Sequence, residues 1–445
     1  MDASRDSDAA GDGSESESRE DQLVKDEPQN LALLAAFNVT LRFAWIFKTE
    51  SVLIPRFLDF VSGSGFVRGW LPILSRTSQS VVPLLLADRL RRAPLKKRAL
   101  LISSTLMGVC FLTLATIWFL LGEPAEGTAP MWMAPTFLAI YAAFFVVSGM
   151  NQLTLGTLQG KLIRPNRRGR LLAIAGITGS FVSITLAWYV LQRWLEPPLH
   201  LPTGGFVLIF GFAGLGFVTA GLFTLPLKEP VDDESDRPAR AYSQAFVEAW
   251  RIFRDDLAFR RAAVVAMLFI SVQLLFPHFQ AIGRRNLDPH SEGFHLMVWI
   301  IAQNAAVGLF SWMSGTIADR TGYRLAIRIQ VFLSMFTPLL ALLLTSDLVD
   351  NSNEHWFWVA YVFLGLVPVT MKSFINYALE LTEPSNHPRY VSTMTVCFAV
   401  PFVLSPLVGW LIDLVGFQPM FIVISGTICL GGLLTFRMTE PRLEA

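Results

Sequence analysis

Residues 315–328 read GTIADRTGYRLAIR and stand between two long apolar runs, 293–316 and 325–346. Residues 84–98 read LLLADRLRRAPLKKR and stand between two further runs, 66–87 and 99–121. Ala87-Asp88-Arg89 and Ala318-Asp319-Arg320 occupy the same point of each loop, one copy in each half of the chain. A second pair repeats in the same order. KLIRPNRRGR (Lys161 to Arg170) and ELTEPSNHPR (Glu380 to Arg389) each have arginine at the tenth position, with proline at the fifth. Two loop pairs in one order read as two parallel repeats of six helices.

Composition supports spans of this kind. The chain has 445 residues, 53% of them hydrophobic and only 16% charged. Soluble domains carry about 25% charged residues. A membrane-spanning helix needs about 20 mostly apolar residues. The apolar runs predict twelve spans, at 31–60, 66–87, 99–121, 131–157, 170–195, 204–227, 260–281, 293–316, 325–346, 356–380, 390–413 and 417–437. The first is the weakest, because Arg42, Lys48 and Glu50 interrupt it.

Loop charge orients the spans. With the N-terminus inside, the inner segments hold 27 Lys and Arg residues and the outer loops hold four: Arg68, Arg193, Arg284 and Arg285. Both termini are therefore expected in the cytoplasm. The net charge of +1 conceals an acidic tail of net −7 over residues 1–30 and a basic body of +8. The tail is expected to be disordered, and it has no secretory leader pattern. The domain plan is a tail (1–30), a six-helix bundle (31–227), a cytoplasmic linker (228–259), a second bundle (260–437) and a short tail (438–445). Within the linker, Phe246, Trp250, Phe253 and Leu257 share one helical face with arginines around it, which predicts an interfacial helix.

These residues carry a resemblance. The chain resembles the major facilitator superfamily, whose loop signature is roughly G-x-x-x-D-R/K-x-G-x-R/K-R/K. Gly315, Asp319, Arg320, Gly322 and Arg324 match it. The first copy keeps Asp88 and Arg89 but has Leu84 and Arg91 in place of the glycines. SPLVGWLIDLVGF (Ser405 to Phe417) is similar to the family at span eleven. The resemblance implies an all-α polytopic membrane protein with the superfamily's fold of twelve helices in two bundles. It also implies a central cavity lined by spans one, four, seven and ten. Asp88, Arg89, Gly315, Asp319, Arg320, Glu380 and Arg389 would then form a cytoplasmic gating set, with charge pairs that form when the inner side is shut.

Polar groups at membrane depth are costly and mark candidate sites. In span one, Asn38, Arg42, Trp45 and Thr49 fall on one stripe, with Lys48 and Glu50 on either side of it. Span two offers Arg76 and Gln79, span four Asn151 and Gln152, and span seven Gln273 and His278. Span ten offers Lys372, Asn376 and Glu380 on one face. The expected substrate-binding set is Asn38, Arg42, Trp45, Arg76, Asn151, Gln152, Gln273, Lys372 and Asn376, with Glu50 as the coupling acid. Four deep cations against one acid point to an anionic solute such as a carboxylate or phosphate ester.

No nucleotide-binding loop or hydrolase motif occurs, and Cys110, Cys397 and Cys429 lack metal spacing. No cofactor, no metal, no enzyme activity and no nucleic-acid partner are expected. The expectation is a monomeric secondary transporter in the cell membrane, moving a small solute by alternating access with a proton or sodium ion as coupling partner. A transporter-shaped sensor or partner subunit without flux, and a lipid-handling protein of the same fold, are the alternatives.

Overall fold

The computed structural model describes residues 5–122, 124, 128–195, 205–231, 242–288, 291–346, 355–383 and 386–440. Its elements are helical. We number them α1 (Arg5–Ile46), α2 (Leu53–Val61), α3 (Gly65–Arg92), α4 (Lys96–Leu120), α5 (Met133–Leu162), α6 (Pro165–Leu186) and α7 (Gly205–Leu222) in the first half. A π-helical turn, Ala187–Leu191, extends α6. A linker helix, α8 (Tyr242–Asp255), precedes α9 (Leu257–Gly283), α10 (Glu292–Thr321), α11 (Tyr323–Leu344), α12 (Trp358–Glu380), α13 (His387–Val415) and α14 (Phe417–Arg437).

Ten helices among the described residues are long and apolar enough to cross a membrane, and they fall on the expected spans three to twelve. The first two expected spans are helical but less regular. Span one breaks after Ile46 and resumes as α2, and α3 carries Arg68, Arg76 and two internal prolines, Pro72 and Pro83. These interruptions build the candidate site.

α1 begins inside the acidic tail, at Arg5, and runs through Pro28. The expected boundary at residue 31 is not an element boundary. Asp26, Glu27 and Asn30 account for this, because basic loops hold them. Arg164 donates its backbone N and Nε to Glu27 at 3.0 and 2.9 Å, Arg167 lies 3.3 Å away, and Lys228 bonds Asp26 at 2.8 Å. Asn30 exchanges two hydrogen bonds with the Lys228 backbone, each 3.0 Å. The polar segment 232–241 of the linker lies outside the described residues.

Aromatic side chains fill the first half. Phe57 of α2 meets Trp118, Phe137, Phe206 and Phe210 at centroid distances of 4.9–5.1 Å, which docks the broken end of span one. In the second half Trp299 stacks on Tyr361 at 5.0 Å.

The internal repeat has structural counterparts. Glu229, after the sixth span, accepts from the backbone N of Lys96 and Lys97 at 2.9 and 2.8 Å and from Lys161 at 2.9 Å. Its counterpart Glu440, after the twelfth span, is buried against Gly322 and lies 3.9 Å from Arg324. Gly322 has φ +85°, and a Cβ there would strike the Glu440 carboxylate. The turn of the second loop copy therefore needs glycine. The segments leading to both termini and the loops around these acids share one face of the bundle, the terminal face. Residues 56–68, 281–285, Glu292 and 412–417 gather at the opposite one.

Candidate functional site

The candidate site grows out of the break in span one. α1 stops at Ile46, and residues 47–52 turn before α2 begins. Thr49 supports that turn, its Oγ1 accepting from Leu53 N at 3.3 Å and its carbonyl from Ile54 N at 3.1 Å. Helical spacing no longer applies across the turn. Lys48 and Glu50, which a continuous helix would separate, come together.

Lys48 is 1% exposed, and its Nζ bonds Glu50 Oε1 at 3.1 Å. Four rings surround the ammonium: Trp45 at 4.1 Å, Phe145 at 4.0 Å, Phe144 at 5.0 Å and Tyr141 at 5.5 Å. Ring faces attract a desolvated cation and offset part of its burial cost. The other Glu50 oxygen accepts from Ser75 Oγ at 3.0 Å and lies 3.8 Å from Arg76. Arg76 also donates to Gln79 at 3.3 Å. One carboxylate thus faces two cations, tightly on the lysine side and loosely on the arginine side.

This cluster borders the seam between the halves. Glu50, Leu71, Pro72 and Arg76 meet Gln273, Phe276 and Pro277 around a cavity of about 10 Å³. That is room for about one water. Arg76 lies near the middle of α3. From the helical rise it stands about 17 Å from the start of that helix, well inside a bilayer core of about 30 Å.

The face opposite the termini is sealed. Ser51 donates to Gln303 at 2.6 Å, and the Tyr361 hydroxyl donates to the Ser51 carbonyl at 3.2 Å. Glu292 bonds both Arg56 and Arg284, and Arg284 also lies 3.8 Å from Asp59, which pairs with Arg68. Asp413 caps α3 by accepting from Gly65 N at 2.7 Å, Phe66 N at 3.0 Å and Ser64 Oγ at 2.9 Å. Gly69 and Gly409 allow this approach. A Cβ on Gly69 would come within 2.6 Å of the Ser405 carbonyl, and one on Gly409 would strike the Gly65 carbonyl. α3 and α13 pack along their length, whereas the α6 segment meets α10 chiefly through its last turns, residues 187–195.

The expected substrate-binding residues divide. Arg76, Gln273 and Trp45 converge with Glu50 and Lys48. Gln273 is buried and donates to Met371 Sδ at 3.4 Å, with its Oε1 free of partners among the described residues. Arg42 packs against Gly179 of α6, 3.0 Å from where a Cβ would stand. Asn38 donates to the Leu34 carbonyl of its own helix at 2.7 Å. Asn151 is buried and donates to Ser103 and Ser104 at 2.9 and 2.8 Å, joining α5 to α4. Gln152 and Lys372 are exposed, and Asn376 donates to the Tyr323 hydroxyl at 2.9 Å.

The gating set is spread over the terminal face. The side chains of Asp88 and Arg89 lie outside the described residues. Asp319 and Arg320 are exposed at the end of α10, beyond Gly315, and Glu380 ends α12. Arg389 pairs with Glu248 of α8 at 3.8 Å rather than with Asp319 or Glu380. The linker helix, not the repeat loop, holds this arginine.

The expected set omits Lys48, Ser75 and the rings of Tyr141, Phe144 and Phe145, because an unbroken span-one helix would separate Lys48 from Glu50. It also omits Glu229 and Glu440, although each precedes a proline at the end of a half. That Glu-Pro repeat was a readable signal.

The family described as Major Facilitator Superfamily matches residues 96–378. Among curated proteins no relative matches the chain. Solved structures of similar fold include the nucleoside transporter NupG, with 11% identity, a TM-score of 0.66 and coverage of 92% of this chain and 98% of that one. A POT family transporter in complex with 5-aminolevulinic acid has 15% identity, a TM-score of 0.66 and coverage of 94% and 97%. A D-xylose-proton symporter has 12% identity, a TM-score of 0.65 and coverage of 93% and 98%. At these identities the likeness establishes the fold alone.

Proposed function

The chain belongs to the Major Facilitator Superfamily and is a multi-pass membrane protein that moves a small solute by secondary active transport, and from that premise we propose that the solute is an organic anion bound beside Arg76. The observation that carries this reading is the shared carboxylate: Glu50 lies 3.1 Å from Lys48 and 3.8 Å from Arg76. Glu50 and Lys48 form a compact neutral pair. Arg76 is then the available cation, and its planar fork suits a carboxylate or phosphate. With the anion bound the cluster is neutral, and a neutral site is less costly to enclose in low dielectric than one of net +1. Loaded halves therefore rock more readily than empty ones.

Alternating access follows from the seam. The sealed face separates where glycines now join α3 to α13 and ion pairs join α2 to the connection between α9 and α10. The Lys and Arg distribution of 27 to 4 supports a cytoplasmic terminal face in a cell-membrane protein. This arrangement is then closed to the outside. Glu50 is the acid nearest mid-depth among the described residues and serves as the coupling group for a driving proton, in a chain that works as a monomer. Proteoliposome uptake of a panel of labelled organic anions tests this. Wild-type accumulation should follow a pH gradient, and Glu50→Gln should abolish accumulation while retaining exchange. Gradient-driven accumulation that survives in Glu50→Gln would remove Glu50 from coupling.

A further inference from the structure

A second polar cavity straddles the seam at the sealed face. It measures about 410 Å³, and Asp59 and Arg68 of the first half face Arg284, Arg285 and Asp413 of the second across it. Its two acids are already engaged. Asp59 takes Arg68 and lies near Arg284, and Asp413 accepts three donors at the start of α3. Its donors are in excess. Arg285 is exposed, has no carboxylate partner among the described residues, and rests its guanidinium on the Phe417 ring at 4.5 Å. The Arg68 Nε is buried with no acceptor among the described residues.

Arg285 also borders a neighbouring cavity of about 440 Å³ that adds Thr345, Ser346 and Gln418. Three of the four arginines in the expected outer loops, Arg68, Arg284 and Arg285, meet at this one place. We propose that this vestibule binds an oxyanion of the phosphate class, which bridges Arg68 of the first half and Arg285 of the second and holds the sealed face shut. An oxyanion offers three or more acceptors to forked guanidinium donors. It would stabilise the closed arrangement because both halves contribute donors to it only when the seam is closed. The site is distinct from the cluster at Glu50 and does not depend on the identity of the transported solute.

Free phosphate and a lipid headgroup share this chemistry, and one experiment separates them. Purified protein in detergent, freed of phosphate and sulfate, is titrated with inorganic phosphate while chloride holds ionic strength constant. Thermal stability should rise saturably. Arg285→Ala should weaken apparent affinity at least tenfold and Arg285→Lys should weaken it less, with melting temperatures unchanged when phosphate is absent. Arg76→Gln should keep the full response, which separates the vestibule from the transport site. In nanodiscs containing phosphatidylglycerol, a stability gain that depends on Arg285 without added phosphate would assign the site to lipid. A gain with phosphate alone would assign it to the free ion. An equal shift with chloride, or an undiminished response in Arg285→Ala, would overturn the proposal.

Discussion

Lys48 and Glu50 are near neighbours in sequence and form a buried ion pair at 3.1 Å because the chain between them is not helical. Two helical residues at that spacing would point about 200° apart. The break after Ile46 is therefore part of the candidate site and not a defect of span one. It turns an interrupted apolar run into a charged cluster within reach of Arg76.

Changes at the two members of this pair should not add. Lys48→Met leaves Glu50 to Arg76 alone, and Glu50→Gln leaves a caged ammonium without its carboxylate. Each single change should destabilise by about 3–5 kcal/mol, as for other buried pairs broken on one side. The double change Lys48→Met with Glu50→Gln should cost less than the two singles added. A thermal-unfolding double-mutant cycle reads the difference. Strict additivity would contradict the pairing.

The glycine contact between α3 and α13 should control closure. Gly409→Leu forces bulk against the Gly65 carbonyl, so the sealed face should stay open. Ser51→Cys reports this in a chain whose Cys110, Cys397 and Cys429 have been replaced. Labelling at position 51 by a membrane-impermeant thiol reagent from that side should rise at least tenfold in Gly409→Leu. Labelling as slow as in the parent would show that the seam does not depend on this contact.

Glu27 ties the start of span one to α6. Its hydrogen bonds from Arg164, partly offset by burial, hold its carboxyl below the usual value of 4.5. A depressed folded value means that the group contributes stability above 4.5 and loses it as pH falls through the folded value. Glu27→Gln should lower the melting temperature by a few degrees at pH 7, roughly 2–4 °C for each kcal/mol lost. The gap between mutant and wild type should close as pH falls below 4.5. A gap constant down to pH 3 would exclude the ion pairs as its cause.

Asp319 ends α10 in the loop that carried the family resemblance, and it is exposed. Asp319→Asn should leave membrane insertion and melting temperature unchanged while slowing uptake several-fold. Exposed charges bias a two-state equilibrium by only about 0–1 kcal/mol each. Unchanged uptake kinetics would make the residue a topology signal alone.

Much of this architecture was legible because it rests on local signals. Apolar length marked ten spans to within a few residues, and the Ala-Asp-Arg loops marked the doubling. The candidate site was legible in part. Arg76, Gln273 and Glu50 stood out as polar groups in apolar runs. Lys48 was not joined to them, because periodicity holds only while a helix continues. Asn151 satisfied the same sequence criterion and proved to be bound to Ser103 and Ser104. A polar residue at depth signals a partner, and whether that partner is a solute or a serine depends on tertiary contacts. Glu27 lies in the tail whose composition reads as disordered, and Arg164 and Arg167 at the start of α6 hold it through contacts that composition does not encode.

That Arg76 grips an anionic solute at the seam is the central claim. The most direct measurement is the thermal stability of purified Arg285→Ala protein, in which the vestibule is disabled, across a panel of anionic and neutral metabolites. Repeating each hit with Arg76→Gln completes it. Ligand bound only to the folded state raises stability by mass action. Binding at Arg76 predicts saturable shifts from anions, with apparent affinity reduced at least tenfold in Arg76→Gln, about 1.4 kcal/mol of binding. Shifts from neutral solutes only, or anion shifts undiminished in Arg76→Gln, would contradict it.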